Sequence, residues 1–216
     1  MKAILAQPEH SDILGEVIAR AFVNDPICTH VFPDRERRLR NMRWIHARQL
    51  CVLIGRNSVY TTPDLLGAAV WHRPEAGFDM GLLEQIRAGF LPIVFMLRPS
   101  EQLRGLRVYM DVVARTKRFV RTPHWVLDTL CVALEHHRKG VARALLQPAL
   151  QQADTDGIPC FVITHNPVNV PFYERFGFHV VYQSLMPGSE VMVYSLIREP
   201  GCCQSSGTSS PAPAVE

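Results

Sequence analysis

His136-His137-Arg138-Lys139-Gly140-Val141-Ala142-Arg143-Ala144-Leu145-Leu146 is the stretch on which the reading of this chain turns. An apolar, strand-like run, Trp125 to Val132, precedes it, and a helical pattern starts at Val141. The first N–H groups of a helix lack internal partners, and the helix dipole places roughly +0.5 charge there. Gly140 has no Cβ, so an anion can approach the backbone, and Arg138 and Lys139 add positive charge beside it. The turn therefore suits a phosphate. The alternative is an ordinary strand-to-helix loop with a solvated basic tip.

Outward from this turn the chain alternates strands and helices. Upstream, Ala3 to Gln7 reads as a strand and Asp12 to Phe22 as a helix with Ser11 as its N-cap. Residues 36–54 form an amphipathic helix with Leu39, Met42, Ile45, Gln49, Leu50 and Leu53 on one stripe and a mostly solvated arginine face. Ser58 to Thr62 and Leu65 to His72 make a hairpin around Pro63-Asp64, and residues 81–97 form an apolar segment broken by Gly89 and Pro92. Glu101 to Phe119 is a second long helix with Leu103, Leu106, Met110 and Val113 on one side. The strand before the turn extends over His124 to Val132, and the helix after it over Val141 to Asp154. Downstream come a strand, Pro159 to Thr164, and a short helix, Val170 to Phe176, stopped by Gly177. Val180 to Leu185 and Glu190 to Ile197 close the pattern as a hairpin across Pro187-Gly188.

The absence of Gly-x-Gly removes a dinucleotide fingerprint, and the phosphate-loop and nucleophile-elbow motifs are absent too. The turn reads His137-Arg138-Lys139-Gly140-Val141-Ala142, and one helix and one strand later comes Phe172-Tyr173-Glu174-Arg175-Phe176-Gly177-Phe178. This pair resembles the GNAT superfamily of N-acetyltransferases. With Ala21-Phe22-x-x-Asp25-Pro26 and Ala68-Ala69-Val70-Trp71-x-x-Pro74-Glu75, it is similar to the puromycin N-acetyltransferase-like members. The resemblance implies an α/β (α+β) fold: a mixed, strongly twisted sheet with helices on both faces, split between strands four and five. It covers nearly all of residues 1–200, the expected catalytic domain. Residues 201–216, a Ser/Pro-rich run containing Cys202-Cys203, read as a disordered tail.

The resemblance implies acetyl-CoA as cosubstrate and direct transfer to an amine through a ternary complex. His137, Arg138, Lys139, Gly140, Val141 and Ala142 would hold the phosphates, with His137 where the family usually has Gln or Arg. Leu130, Cys131 and Val132 would pair through their backbones with the pantetheine arm. Asn169 would bind that arm, and Tyr173, one helical turn on, would meet the sulfur as general acid. Asp128 is the candidate base: an acid inside an apolar strand, sharing by alternation a face with Val126, Leu130 and Val132. The bland alternatives are an aromatic packing role for Tyr173 and a strand anchor for Asp128. Cys131 as an acyl carrier has no neighbouring base in sequence, so a small core residue is the expected role.

The acceptor is less well encoded. His72 and Arg73 end a strand beside the expected cleft, and Phe78, Phe90, Phe95 and Tyr109 would either form an apolar amine pocket or lie in the core. The expected activity is acetylation of a primary amine on a small xenobiotic, antibiotic or biosynthetic molecule. The alternatives are a protein or peptide N-acetyltransferase and a non-catalytic acyl-CoA-binding regulator.

A net charge of +3 gives no ground for a nucleic-acid partner. The longest apolar run, Phe90 to Leu97, holds a proline and is too short for a bilayer. The six cysteines lack metal spacing, and Cys28, Cys51, Cys131 and Cys160 read as reduced core thiols. The expectation is a cytoplasmic monomer or homodimer, without metal, membrane or nucleic acid.

Overall fold

A computed structural model describes residues 1–56, 59–75, 86, 91–119 and 121–201. Seven strands make one sheet: β1 (Ile4–Leu5), β2 (Val59–Thr61), β3 (Gly67–His72), β4 (Trp125–Val132), β5 (Cys160–Thr164), β6 (His179–Leu185) and β7 (Met192–Arg198). Their order is β1-β2-β3-β4-β5-β7-β6. The β4–β5 pair is parallel, joined by a crossover helix, and every other neighbouring pair is antiparallel. The helices are α1 (Ser11–Ala21), α2 (Pro26–Val31), α3 (Arg35–Ile54), α4 (Ile93–Met96), α5 (Pro99–Phe119), α6 (Val141–Asp156) and α7 (Val170–Glu174). This is the mixed, helix-flanked sheet expected from the sequence.

The two faces carry separate cores. On one, Leu14 and Ile18 of α1 and Leu50 and Leu53 of α3 pack on Val59, Ala68 and Val70 of the sheet. On the other, Leu145, Leu146, Ala149 and Ala153 of α6 cover Trp71, Trp125, Leu127 and Val162. A Cβ on Gly15 would come within 2.9–3.0 Å of Ala47 in α3, so glycine there sets how closely α1 and α3 approach. Arg198, 1% exposed, ties the second layer together. Its guanidinium donates twice to the Asp154 carboxylate, at 2.7 and 2.8 Å, and once to the Phe176 carbonyl.

Several sequence expectations need correction. Ser11 is no N-cap: a 3-10 turn over Pro8–His10 precedes α1, and the Ser11 hydroxyl donates back to the Pro8 carbonyl. The apolar side of α5 does not face the core, since Leu103, Leu106 and Met110 are 50–58% exposed. Its buried side is polar, with Glu101, Arg115 and Thr116, because Glu101 pairs with Arg37 of α3 and Arg115 with Asp111. Arg38 is likewise buried, donating to the carbonyls of Phe32 and Pro33, so two residues leave the solvated arginine face. Cys51 is exposed and Cys28 half-buried; Cys131 and Cys160 are the core thiols. Ser58, Phe78, most of the 81–97 segment (Phe90 included) and the tail from Cys202 on lie outside the described residues.

The feature that builds the site is in β4. Its pairing with β3 runs Val70↔Thr129 and then Trp71↔Leu127, so Asp128 is the extra residue of a β-bulge. Its parallel pairing with β5 spans Trp125↔Cys160 to Leu127↔Val162 and ends there. Bulge and separation coincide at Asp128. The strand bends as it leaves its partner, and a wedge opens between β4 and β5. The split expected between strands four and five is this wedge. The bulge also resets the alternation, so Asp128 is not in phase with both Val126 and Leu130. Leu127 faces the α6 side before the bulge, and Leu130 and Val132 face it afterwards, while Val126 packs with Phe161.

Candidate active site

Beyond the bulge, Ala133 N–H bonds the Leu66 carbonyl, and Cys131 stands opposite Ala68. In an antiparallel ladder this commits the amide groups of the odd residues to β3 and turns those of Leu130 and Val132 toward the open edge. The His137 ring confirms the direction: its Nε2 lies 3.0 Å from the Val132 carbonyl. The backbone groups of Leu130 and the Val132 N–H thus turn toward the wedge, while the Val132 carbonyl meets the His137 ring. Those of Cys131 do not. Its backbone belongs to β3, and burial pushes its thiol up to about 12, the reverse of a nucleophile's activation.

One wall of the wedge is the start of α6. Gly140 is its N-cap residue at φ +81°, with no side chain capping the helix, and Arg138 is also left-handed at φ +62°. A Cβ on Gly140 would touch nothing within 4 Å, so the glycine leaves open space in front of the unpartnered N–H groups of Val141, Ala142 and Arg143. The opposite wall is α7 and the turns before and after it, with Asn169, Phe172, Tyr173 and Phe176. Between them lies a cleft of about 580 Å³ that His137, Arg138, Gly140, Val141 and Ala142 also line. Lys139 sits on the turn but not among the lining residues. Its shape and donors fit an extended ligand with a phosphate end: backbone edge on one side, helix N-terminus at the end, aromatic wall on the other. Arg143 and Arg175 stand over the rings of Phe176 and Phe172 at 5.9 and 5.6 Å, adding charge to the rim. Asn169 donates to the Thr164 hydroxyl at 3.1 Å, which fixes its carboxamide in the wall.

A second cavity, of about 290 Å³, meets the first at Leu130, Asn169 and Tyr173. Apolar walls come from Phe22, Val108 and Val112, and polar groups from Asp25, His46, Thr116, Asp128 and His165. Tyr173 stands at the junction, buried, with edge-on contacts to Phe172 and Phe178 at 5.4 and 5.7 Å. Burial, helped by the Asp25 carboxylate, raises its phenol well above the ordinary range, so it stays protonated at neutral pH. Asp128, at the bulge, lines the same cavity. The Thr129 hydroxyl donates to Asp128 Oδ2 at 3.0 Å, and His72 Nε2, on a side chain 5% exposed, lies 4.0 Å from Oδ1.

Leu130, Asn169 and Tyr173 therefore stand where the two cavities meet, with Val132 and Gly140 lining the larger and Asp128 the smaller. Others stand apart from them. Phe95 is 92% exposed and Tyr109 46%, and neither lines the smaller cavity, so neither is core or amine pocket. Arg73 stacks on the Trp125 ring outside both cavities. Asp25, His46 and His165 line the cavity and were not identified as site residues from sequence. For His46 the signal was present: it lies four residues after Met42 and three before Gln49, on the buried stripe of α3. Asp25 hides as a helix cap, its carboxylate accepting from Ile27 N–H at 3.0 Å. Among the described residues no His, Cys, Asp or Glu group is arranged to hold a metal.

A family model for the acetyltransferase (GNAT) domain matches residues 113–186, from the second half of α5 through β6. An uncharacterized N-acetyltransferase of Schizosaccharomyces pombe is 26% identical over 190 residues, covering 83% of this chain and 76% of that protein. Among solved structures, arylalkylamine N-acetyltransferase 2 from Aedes aegypti aligns with TM-score 0.59 at 10% identity, over 92% of this chain and 98% of that one. The PaiA N-acetyltransferase from Thermoplasma acidophilum, in complex with coenzyme A, aligns with TM-score 0.57 at 14% identity, over 92% and 98%. The matched segment is similar to a GNAT acetyltransferase domain, and the fold is shared with the solved N-acetyltransferases. The chain is an enzyme, an N-acetyltransferase.

Proposed function

We propose that the protein transfers an acetyl group from acetyl-CoA to a primary amine of a small molecule, with donor and acceptor bound together at the junction of the two cavities. The supporting observation is that the bulge at Asp128 and the end of β4–β5 pairing fall at one point. That coincidence exposes the Leu130–Val132 edge to the donor on one side of the bend and Asp128 to the acceptor on the other. Gly140 and the first turn of α6, with Arg138 and Lys139, receive the pyrophosphate. The backbone amide groups of Leu130 and Val132 and the side chain of Asn169 hold the pantetheine arm. His137 closes the end of that edge through the contact of its ring with the Val132 carbonyl.

The chemistry asks for little. An amine reaching the site as an ammonium must lose a proton before it can attack the thioester carbon. Asp128 draws that proton off through water. A backbone N–H of the open edge polarises the carbonyl as the C–N bond forms. As the C–S bond breaks, Tyr173 donates to the sulfur. Its buried phenol holds the proton that this step requires. The smaller cavity, about 290 Å³ and walled by α2, α3 and α5, suits a compact amine better than a peptide segment. The decisive experiment measures coenzyme A release from acetyl-CoA across aminonucleosides, aminoglycosides, polyamines, arylamines and peptides. Turnover confined to peptides would overturn the small-molecule assignment, and binding of acetyl-CoA without turnover would make the protein a regulator.

A further inference from the structure

We infer that His46 is the residue on which the acceptor's proton comes to rest, with Asp128 as its counter-charge, so that the two act as a dyad across the acceptor cavity. The inference rests on the amine-acetylation reading above and deepens it. An aspartate with an ordinary carboxyl near 3.9 is a poor store for a proton taken from an alkylammonium at neutral pH. An imidazole is a far better match. His46, on α3, lines the same cavity as Asp128, and its ring feels the Asp128 charge.

The surroundings support the assignment. Desolvation holds His46 below its ordinary value near 6.5, and the Asp128 charge and a hydrogen bond with Gln49 oppose this. At pH 7 the ring is neutral and can accept. Once charged, it faces the Asp128 carboxylate. The other groups around the cavity do not compete. Asp25 caps α2 and is raised by burial, and Cys28 is pushed far up and stays a thiol. From β3, His72 stands behind Asp128, 4.0 Å from Oδ1. On the β5 side, burial pushes His165 down to about 4, too weak a base, with Asp111 and Arg115 of α5 as its charged neighbours. On α7, Tyr173 is protonated. His46 is thus the imidazole of this cavity whose charged neighbour is Asp128.

The proton count closes. R–NH3+ gives one proton, relayed by water held at Asp128, to neutral His46, and the free amine attacks the acetyl carbon. The C–N bond forms and the C–S bond breaks. Tyr173 protonates the sulfur, and the second nitrogen proton, through water, restores Tyr173. His46 releases its proton to solvent, so the sum is R–NH3+ plus acetyl-CoA giving the amide, coenzyme A and one H+.

The test uses the full chain, with benzylamine as the cationic acceptor and aniline as the neutral one. Wild type should show an acidic limb in kcat/KM for benzylamine with its midpoint below pH 6.5, because protonated His46 cannot accept. His46→Gln should lower the benzylamine rate at pH 7 by roughly 10²-fold or more, remove that limb, and leave aniline within a few-fold. Asp128→Asn, by deleting the counter-charge, should move the limb to lower pH. Imidazole resonances give a reading independent of turnover: His46 should titrate below 6.5, and lower still in Asp128→Asn. A His46→Gln enzyme with an unchanged benzylamine profile, or a His46 titration indifferent to Asp128, overturns the dyad while leaving amine acetylation standing. If wild type acetylates neither amine nor any member of the panel, the functional reading fails and the dyad with it.

Discussion

Gly140→Asp is the sharpest perturbation of the proposed phosphate site, because the structure separates its cost to folding from its cost to binding. A Cβ at Gly140 meets nothing within 4 Å, so no clash follows. The left-handed φ of +81° remains. That conformation costs a non-glycine residue about 1 kcal/mol, and aspartate tolerates it better than most. For a chain of this size the apo melting temperature should fall by only about 2–4 °C. Binding is a different matter. A carboxylate about 5 Å from a phosphate, at an effective dielectric constant of about 20, repels it by about 3 kcal/mol, a factor of more than 100 in affinity. Acetyl-CoA at 100 times its wild-type dissociation constant stabilises the folded state by about 2.7 kcal/mol, a rise of about 5–11 °C. At the same concentration the variant should gain about 1 °C or less. Gly140→Ala, with the same backbone strain and no charge, should keep most of the shift. The assay is a thermal melt against acetyl-CoA concentration for all three proteins. A Gly140→Asp shift as large as that of wild type would place the phosphates elsewhere and sink the argument from the α6 N-terminus.

Other perturbations address the remaining parts. Tyr173→Phe keeps the ring contacts and removes the acidic proton, so steady-state kinetics should show kcat falling by roughly 10²–10⁴ with acetyl-CoA affinity little changed; lost affinity at unchanged kcat would reduce the tyrosine to packing. Asp128→Asn should slow an alkylamine at neutral pH, with partial recovery as pH rises, and barely touch an arylamine; equal losses without recovery would make Asp128 only a strand anchor. Arg198→Met removes one partner of a buried pair and should cost about 3 kcal/mol, read as a melting temperature lowered by about 6–12 °C. Because Arg198 depresses the Asp154 carboxyl, that pair's contribution should be complete above the ordinary carboxylate range near 3.9 and disappear as pH falls through the lower folded value, a loss Arg198→Met should not show in acid melts. Gly67→Ala should loosen the β3–β4 pair beside the cleft and weaken acetyl-CoA in the thermal-shift assay, since a Cβ there overlaps the Cys131 carbonyl oxygen.

How much of this was legible in the sequence depends on the range of the forces involved. Elements with strong local signals were. The helix behind Gly140, the stop at Gly177 (φ +85°) and the closing hairpin at Gly188 (φ +74°) need particular backbone angles, and glycine at those positions announces them. The outward face of α5 was not, because periodicity shows that apolar residues share a side and not which side is covered. The ion pairs Arg37–Glu101 and Arg115–Asp111 turn the polar side inward, and Arg37 and Glu101 are sixty-four residues apart. His46 escaped for a related reason. Its stripe was visible, but its approach to Asp128 depends on α1 and α3 closing at Gly15 and Ala47, a contact between distant segments.

The bulge shows how one residue shapes both the sheet and the proposed site. Asp128 was picked out because an acid in an apolar strand needs an explanation, and strict alternation assigned it to the face of Leu130. The ladder skips it instead. An ordinary strand position would have left β4 straight and paired with β5 along its length, closing the edge that Leu130 and Val132 now expose. It would also have aimed the carboxylate along the sheet normal, into one of the two cores. The extra residue bends the strand away and frees the side chain to face the acceptor cavity, with the Thr129 hydroxyl and His72 beside it. The open edge and the exposed carboxylate, to which we assign donor and acceptor, are therefore products of the same defect. Deleting Thr129, which would set Asp128 opposite Val70 in regular pairing, should close the cleft and bury the carboxylate together, so that acetyl-CoA binding and transfer are lost in one step.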